Sequence, residues 1–107
     1  MVIDQYRVLL VHLEPAVGSE ARKTRPCVVL SPDEMNLHLE TLIIAPMTRT
    51  PKRYPSRFKV RQGGTTGYVM LDRIRAIDRT RVQKVLGRLT AQEIAKCKAT
   101  LQELLVD

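Results

Sequence analysis

The sequence predicts a mainly β protein, a compact antiparallel barrel or curled sheet carrying one C-terminal α-helix. Two observations lead there. Six or seven short apolar or alternating runs succeed one another between Pro, Gly and Asp punctuation as far as Leu86. After Thr90 the apolar period changes from two to three and four. No internal repeat, low-complexity tract or linker interrupts the pattern, so residues 1–107 are expected to form a single domain with one core.

Taken in order, Gln5 to Leu13 is mostly apolar and reads as the first strand, which Glu14-Pro15 ends. Ala16 to Thr24 is a polar, basic loop. Pro26 suits the first residues of the next strand, where its missing N–H is tolerable, and Cys27 to Leu30 continue it. Ser31-Pro32-Asp33-Glu34 starts a short helical turn with Pro at its first position. Glu40 to Met47 is the third strand, with Leu42 to Ala45 as its buried run. Thr48 to Pro55 is a loop rich in Pro, Thr and Arg. Ser56 to Arg61 alternates like a half-exposed strand, Gln62 to Gly67 turns, and Tyr68 to Leu71 returns. Ile74 to Ile77 and Val82 to Leu86 are two further strands. Thr90-Ala91-Gln92-Glu93 is a capping box, and Ile94, Cys97, Leu101, Leu104 and Leu105 mark the apolar face of a helix of about four turns. That face must pack on the sheet or on another subunit.

Charge narrows the function. Eighteen Lys and Arg against 11 Asp and Glu leave a net charge of +7, and the surplus is clustered. Arg49, Lys52, Arg53, Arg57, Lys59 and Arg61 have no acidic residue between them. Arg73, Arg75, Arg79, Arg81, Lys84 and Arg88 form a second group broken only by Asp78. Such asymmetry suits a polyanion or an acidic protein partner, and planar Arg suits phosphate better than Lys. The apolar patch Val8 to Val11 has no basic flank or cleavage site, so it reads as a strand and not as a signal peptide. No run reaches the length of a membrane span, and a cytoplasmic protein is expected. Cys27 and Cys97, 70 positions apart, are expected to be buried free thiols.

The residues that suggest chemistry begin at Gly18-Ser19-Glu20. After a basic spacer, Arg25-Pro26 opens a strand that closes on Ser31. This places a permanent cation at a strand entrance. The segment resembles the signature of the MazF/PemK toxins, small sequence-selective endoribonucleases of toxin–antitoxin pairs. Thr41 to Thr48 is similar to that family's third strand, which ends in a functional Thr or Ser. Gly67 to Asp78 resembles its Gly-x-x-x-x-Asp-Gln-Ile/Val block, and Gly87 to Thr90 with the terminal helix also fits.

The resemblance implies the SH3-like barrel of the MazF, PemK and CcdB toxins, with Arg25 and Thr48 as the catalytic pair. It also implies a homodimer whose grooves a small acidic, MazE-like antitoxin would fill. The residue types suit metal-independent cleavage of single-stranded RNA by the neighbouring 2′-OH. Arg matches a phosphate bidentately, and a Thr hydroxyl adds one donor. Glu20 is either a group that orients Arg25 or takes a proton, or a solvated loop carboxylate. Ser19 is expected to touch RNA through the motif loop, and Lys23, Arg49, Lys52, Arg53 and Arg57 to contact phosphates. Tyr54 is the candidate for base stacking, with a packing role as the alternative. Arg73 stands where the family has Gln, and would favour guanine-type acceptor edges if that position reads sequence.

No Walker loop, HExxH motif or Cys-His cluster is present, and neither His12 nor His38 pairs by motif with a nucleophile. No metal or cofactor is expected. Two other readings remain on the same fold. One is a CcdB-like gyrase poison, which in that family ends in Trp-Gly-Ile, whereas this chain has no Trp. The other is a non-catalytic RNA-binding module.

Overall fold

A computed structural model describes residues 2–13 and 24–106. Its elements are β1 (Arg7–His12), β2 (Thr24–Val29), α1 (Asp33–His38), β3 (Thr41–Thr48), β4 (Arg57–Gln62), β5 (Thr65–Met70), β6 (Arg75–Asp78), β7 (Val82–Arg88) and α2 (Ala91–Leu105). Single 3₁₀ turns at Leu71–Arg73 and Arg79–Arg81 flank β6. Hydrogen-bonded neighbours run β4-β5-β3-β2-β1-β7, with β6 paired to β3 off this path. All pairings are antiparallel.

β3 organises the sheet. One of its edges pairs with β2, while the other pairs with β6 at Thr41 to Ile44 and with β5 at Met47 and Thr48. Its apolar run is long enough to serve three neighbours, and each neighbour contributes β-branched or apolar residues to two clusters. Val8, Val28, Ala45, Met47, Phe58, Val60 and Val69 face one cluster, which α2 closes with Cys97. Leu9, Val11, Cys27, Val29, Leu42, Ile44 and Ile77 face the other. The alternation Val28 against Cys27 and Val29, and Ala45 against Ile44, is the period of two that divides a strand between opposite faces.

The local signals account for the joints. Gly63 and Gly64 both have positive φ, 59° and 79°, and close a two-residue hairpin between Gln62 and Thr65. Thr65 to Gly67 therefore belong to β5 and not to the expected longer turn. Thr90 Oγ1 accepts from the Glu93 N–H at 3.1 Å, and Glu93 Oε1 accepts from the Thr90 N–H at 2.9 Å, completing the capping box. The second Glu93 oxygen accepts from the Arg61 N–H at 2.9 Å, so the helix start also satisfies a donor on the edge strand β4.

Three expectations are adjusted. β1 begins at Arg7, because Tyr6 has φ 69° and the Arg7 N–H turns back to the Asp4 carbonyl. The helical turn after Pro32 continues to His38, with Pro32 as its N-cap, so His38 lies on a helix, its Nε2 3.4 Å from a Glu34 carboxylate oxygen. The apolar face of α2 packs through Ile94, Cys97 and Leu101, but Leu104 and Leu105 in its last turn are exposed. Both cysteines are free and buried, as expected.

Candidate active site

Register brings the two residues of the expected catalytic pair together. β2 and β3 pair Cys27 with Pro46, Val28 with Ala45 and Val29 with Ile44. Two residues further along, still inside both strands, Arg25 stands opposite Thr48. Directly opposed residues of antiparallel strands hold their Cβ atoms about 4.5–5.5 Å apart on one face. Arg25 also pairs with Val11 of β1, and Thr48 with Tyr68 of β5. Tyr68 in turn faces Lys59 of β4. One lateral row thus runs Lys59, Tyr68, Thr48, Arg25 across four strands.

That row lies where a buried face ends. Cys27, Val29 and Ile44 share the face packed by the second cluster, and Arg25 and Thr48 continue it beyond the last apolar side chain. Both are half-buried. Burial pushes the Cys27 thiol up to about 12, and the nearby guanidiniums of Arg25 and Arg75 partly oppose this. Arg75 pairs with Ile44 on the same face, so two guanidiniums flank one sulfur beneath the row.

Thr48 is poised as a donor. Its Oγ1 accepts from the Thr50 N–H at 3.2 Å, and its own proton has no acceptor among the described residues. A hydroxyl held in this way can give that proton to an incoming oxyanion. Arg25 likewise has no carboxylate partner among the described residues, which leaves its fork available to an external anion.

Beside Thr48 opens a pocket of about 310 Å³, lined by Pro26, Met47, Thr48, Gln62, Thr65 and Leu86 among others. Gly67 shapes its floor: a Cβ there would stand 3.1 Å from Cε of Met47 and 3.5 Å from the Thr48 carbonyl oxygen. Arg49 lines the mouth and is exposed.

The remaining sequence candidates fall into three groups. Ser19, Glu20 and Lys23 lie outside the described residues. Lys52, Arg53 and Arg73 are exposed on the surface. Arg57 and Tyr54 are engaged with each other. The Arg57 guanidinium forks onto Asp72, Nε to Oδ1 at 3.1 Å and Nη2 to Oδ2 at 3.2 Å, and its Cζ sits 4.7 Å from the Tyr54 ring centroid. Lys52 Nζ is 5.9 Å from the same ring. The hydrogen bonds from Arg57, then from Ser56, hold the Asp72 carboxyl below the usual carboxylate range. Cations thus surround the Tyr54 ring.

Sequence reasoning passed over Arg75, Tyr68 and Gln62 as site residues. Arg75 was visible only as one cation in a cluster, and Tyr68 only as one of few aromatics. The pairings of β6 and β5 with β3 give both their place, and no local pattern encodes those pairings. Among the described residues, no group of three or more His, Cys, Asp or Glu is arranged to hold a metal ion. No helix there is long and apolar enough to cross a membrane.

Comparison with known proteins agrees with this geometry. The chain is 35% identical over 104 residues to Endoribonuclease MazF9 of Mycobacterium tuberculosis, covering 86% of each protein. Its fold superposes on a MazF from Deinococcus radiodurans with a TM-score of 0.81 at 29% identity, over 98% of this chain and 97% of that one. It also superposes on a chain of a MazE–MazF structure from the same organism, with a TM-score of 0.79 and 26% identity over 99% of this chain and 97% of that one. A family model for the PemK-like, MazF-like toxin of type II toxin–antitoxin systems matches residues 4–105. With a strand register that sets Arg25 against Thr48 and a family pattern running nearly end to end, the chain belongs to the PemK-like, MazF-like toxins.

Proposed function

We propose that this endoribonuclease toxin cleaves single-stranded RNA at the Arg25–Thr48 row, using the substrate's own 2′-OH as nucleophile. The observation that carries the reading is the register that opposes a half-buried Arg to a Thr with an uncommitted proton. In the reaction, the 2′ oxygen loses its proton and bonds to phosphorus. The bond from phosphorus to the 5′ oxygen breaks, and that oxygen takes up a proton. The products are a 2′,3′-cyclic phosphate and a 5′-OH.

Charge grows on the non-bridging oxygens as phosphorus gains its fifth ligand. The Arg25 fork and the Thr48 hydroxyl supply fixed donors for those oxygens, so little reorganisation accompanies the step. Arg75 adds a second positive charge on the same face. A guanidinium is a poor general base, so the Arg25 fork serves as a donor and another group must take the 2′ proton. We assign the 2′ proton to Glu20, five positions before Arg25 in the sequence.

Cleaved messenger RNA would stop translation and growth. The +7 charge suits neutralisation by an acidic antitoxin, and a MazE partner accompanies the similar Deinococcus toxin. A cytoplasmic homodimer completes the reading.

The test is incubation of purified protein with a long single-stranded RNA in EDTA, beside Arg25→Ala and Thr48→Ala. Wild type is expected to give mapped cuts with 5′-OH ends. Each variant should lose on the order of 10²–10³ in rate, the effect of removing one such donor in oxyanion sites. Intact RNA in the presence of folded, antitoxin-free wild type refutes the reading.

A further inference from the structure

We propose that the pocket beside Thr48 receives one unstacked nucleobase of the RNA, and that the Gln62 carboxamide reads that base's edge. The inference rests on the endoribonuclease reading above and names a specificity site within it.

The placement of Gln62 follows from strand alternation. On β4, Phe58 and Val60 point into the core while Lys59 and Arg61 point out. Gln62 is the next residue on the inward face, but it lies past the end of the core and lines the pocket instead. A polar group in a position patterned for an apolar one needs a reason. Its amide has no hydrogen-bond partner among the described residues, although the side chain is half-buried. A carboxamide at a cavity wall with no protein partner is available to bond the edge of a ligand there.

The amide also packs against β7. The curled sheet brings its edge strands β4 and β7 together at this end, and Gln62 lies against Gly87. A methyl group on residue 87 would stand 3.2 Å from both Cδ and Oε1 of Gln62, and closer still to Nε2. Glycine at 87 is therefore what lets the carboxamide lie flat against β7 and face the cavity.

The rest of the pocket suits a base. Pro26, Met47 and Leu86 supply apolar walls, and the backbone of Thr48 with the exposed Arg49 forms the rim, on the opposite face of β3 from the Thr48 hydroxyl, so that a base reaches the cavity around the end of β3. A volume of about 310 Å³ is near the lower end for small-ligand sites, in keeping with a single base. A carboxamide offers an acceptor beside a donor, the pattern that meets a base edge such as N6 and N7 of adenine. Single-stranded RNA is read in this manner, with bases splayed out and bonded at their edges.

The test is cleavage of a randomised RNA pool by wild type, Gln62→Ala, Gln62→Met and Gly87→Ala, with cut sites mapped by sequencing and folding checked by circular dichroism. Gln62→Met keeps the length of the side chain and its packing on Gly87 while removing its polar edge. Wild type should prefer one base at a fixed position near the cut. Each variant should lower the rate ratio between preferred and other bases at that position about tenfold, the discrimination of a bidentate contact. Preferences elsewhere should hold, and Gln62→Ala/Gly87→Ala should lose no more than the single variants. Loss spread equally over all sequences, or effects of Gln62 and Gly87 at different positions, overturns the inference alone. No cutting by folded wild type overturns the enzymatic reading, and this inference with it.

Discussion

Replacing Asp72 with Asn removes the charge from the fork that holds Arg57, and the cost can be worked from the geometry. Arg57 is the more buried partner, with its side chain 8% exposed against 32% for Asp72. Hydrogen bonds to charged groups contribute roughly 1.5–3 kcal/mol, whereas exposed ion pairs contribute roughly 0–1 kcal/mol. A nearly buried guanidinium left without its counter-charge falls between these, so the loss should be about 1.2 kcal/mol at pH 7. For a domain of this size that lowers Tm by about 5 °C.

The pH dependence separates charge from packing. Arg57 and Ser56 hold the Asp72 carboxyl below the usual range, so the folded state binds that proton less readily than the unfolded chain does. The stabilisation is therefore complete above the unfolded pKa near 3.9 and is lost as pH falls through the lowered folded value. Urea unfolding of wild type and Asp72→Asn, from pH 7 down to about pH 3, should show a gap that holds to about pH 5 and narrows below. A gap that stays constant with pH would mean that packing, and not the ion pair, supports Arg57. A gap under about 0.5 kcal/mol at pH 7 would refute the reasoning outright.

Two further outcomes are expected. Arg75→Ala should weaken binding of a non-cleavable 2′-O-methyl oligonucleotide equally across sequences and reduce the slope of log K against log salt by about 0.7, the contribution of one phosphate contact to a single strand. Fluorescence anisotropy across a salt series checks this, and an unchanged slope would place Arg75 away from the RNA. The native protein should resist thiol reagents at pH 8, because burial pushes Cys27 up to about 12 and Cys97 up to about 11. Unfolding in urea should release both thiols, and fast labelling of the native protein would contradict the burial.

Much of this was legible before any coordinates, for reasons that are local. Gly63-Gly64 names its turn because only glycine takes two successive positive φ values cheaply. Thr90 and Glu93 name a helix start because their side chains answer each other's N–H groups within one turn. Leu42 to Ala45 reads as a buried run, although Ile43 is only half-buried. Arg57 and Tyr54 show where such reading stops. Both sit in a basic segment and look available to RNA, yet Asp72, 15 residues beyond Arg57, takes the guanidinium, and the guanidinium takes a face of the ring.

The sequence by itself determined the strands, the hairpin, the terminal helix, the clustering of cations and the signature around Arg25-Pro26, since each is written in neighbouring residues as a period, a turn or a cap. The tertiary structure alone decided which cations meet. The β2–β3 register sets Arg25 against Thr48, 23 positions away, while β6 and β5 bring Arg75 and Tyr68 to the same strand. Gln62 passed for a turn residue until the sheet curled and laid its amide against Gly87. A one-residue slip in any of these pairings would leave every local pattern intact and send those side chains to the opposite face.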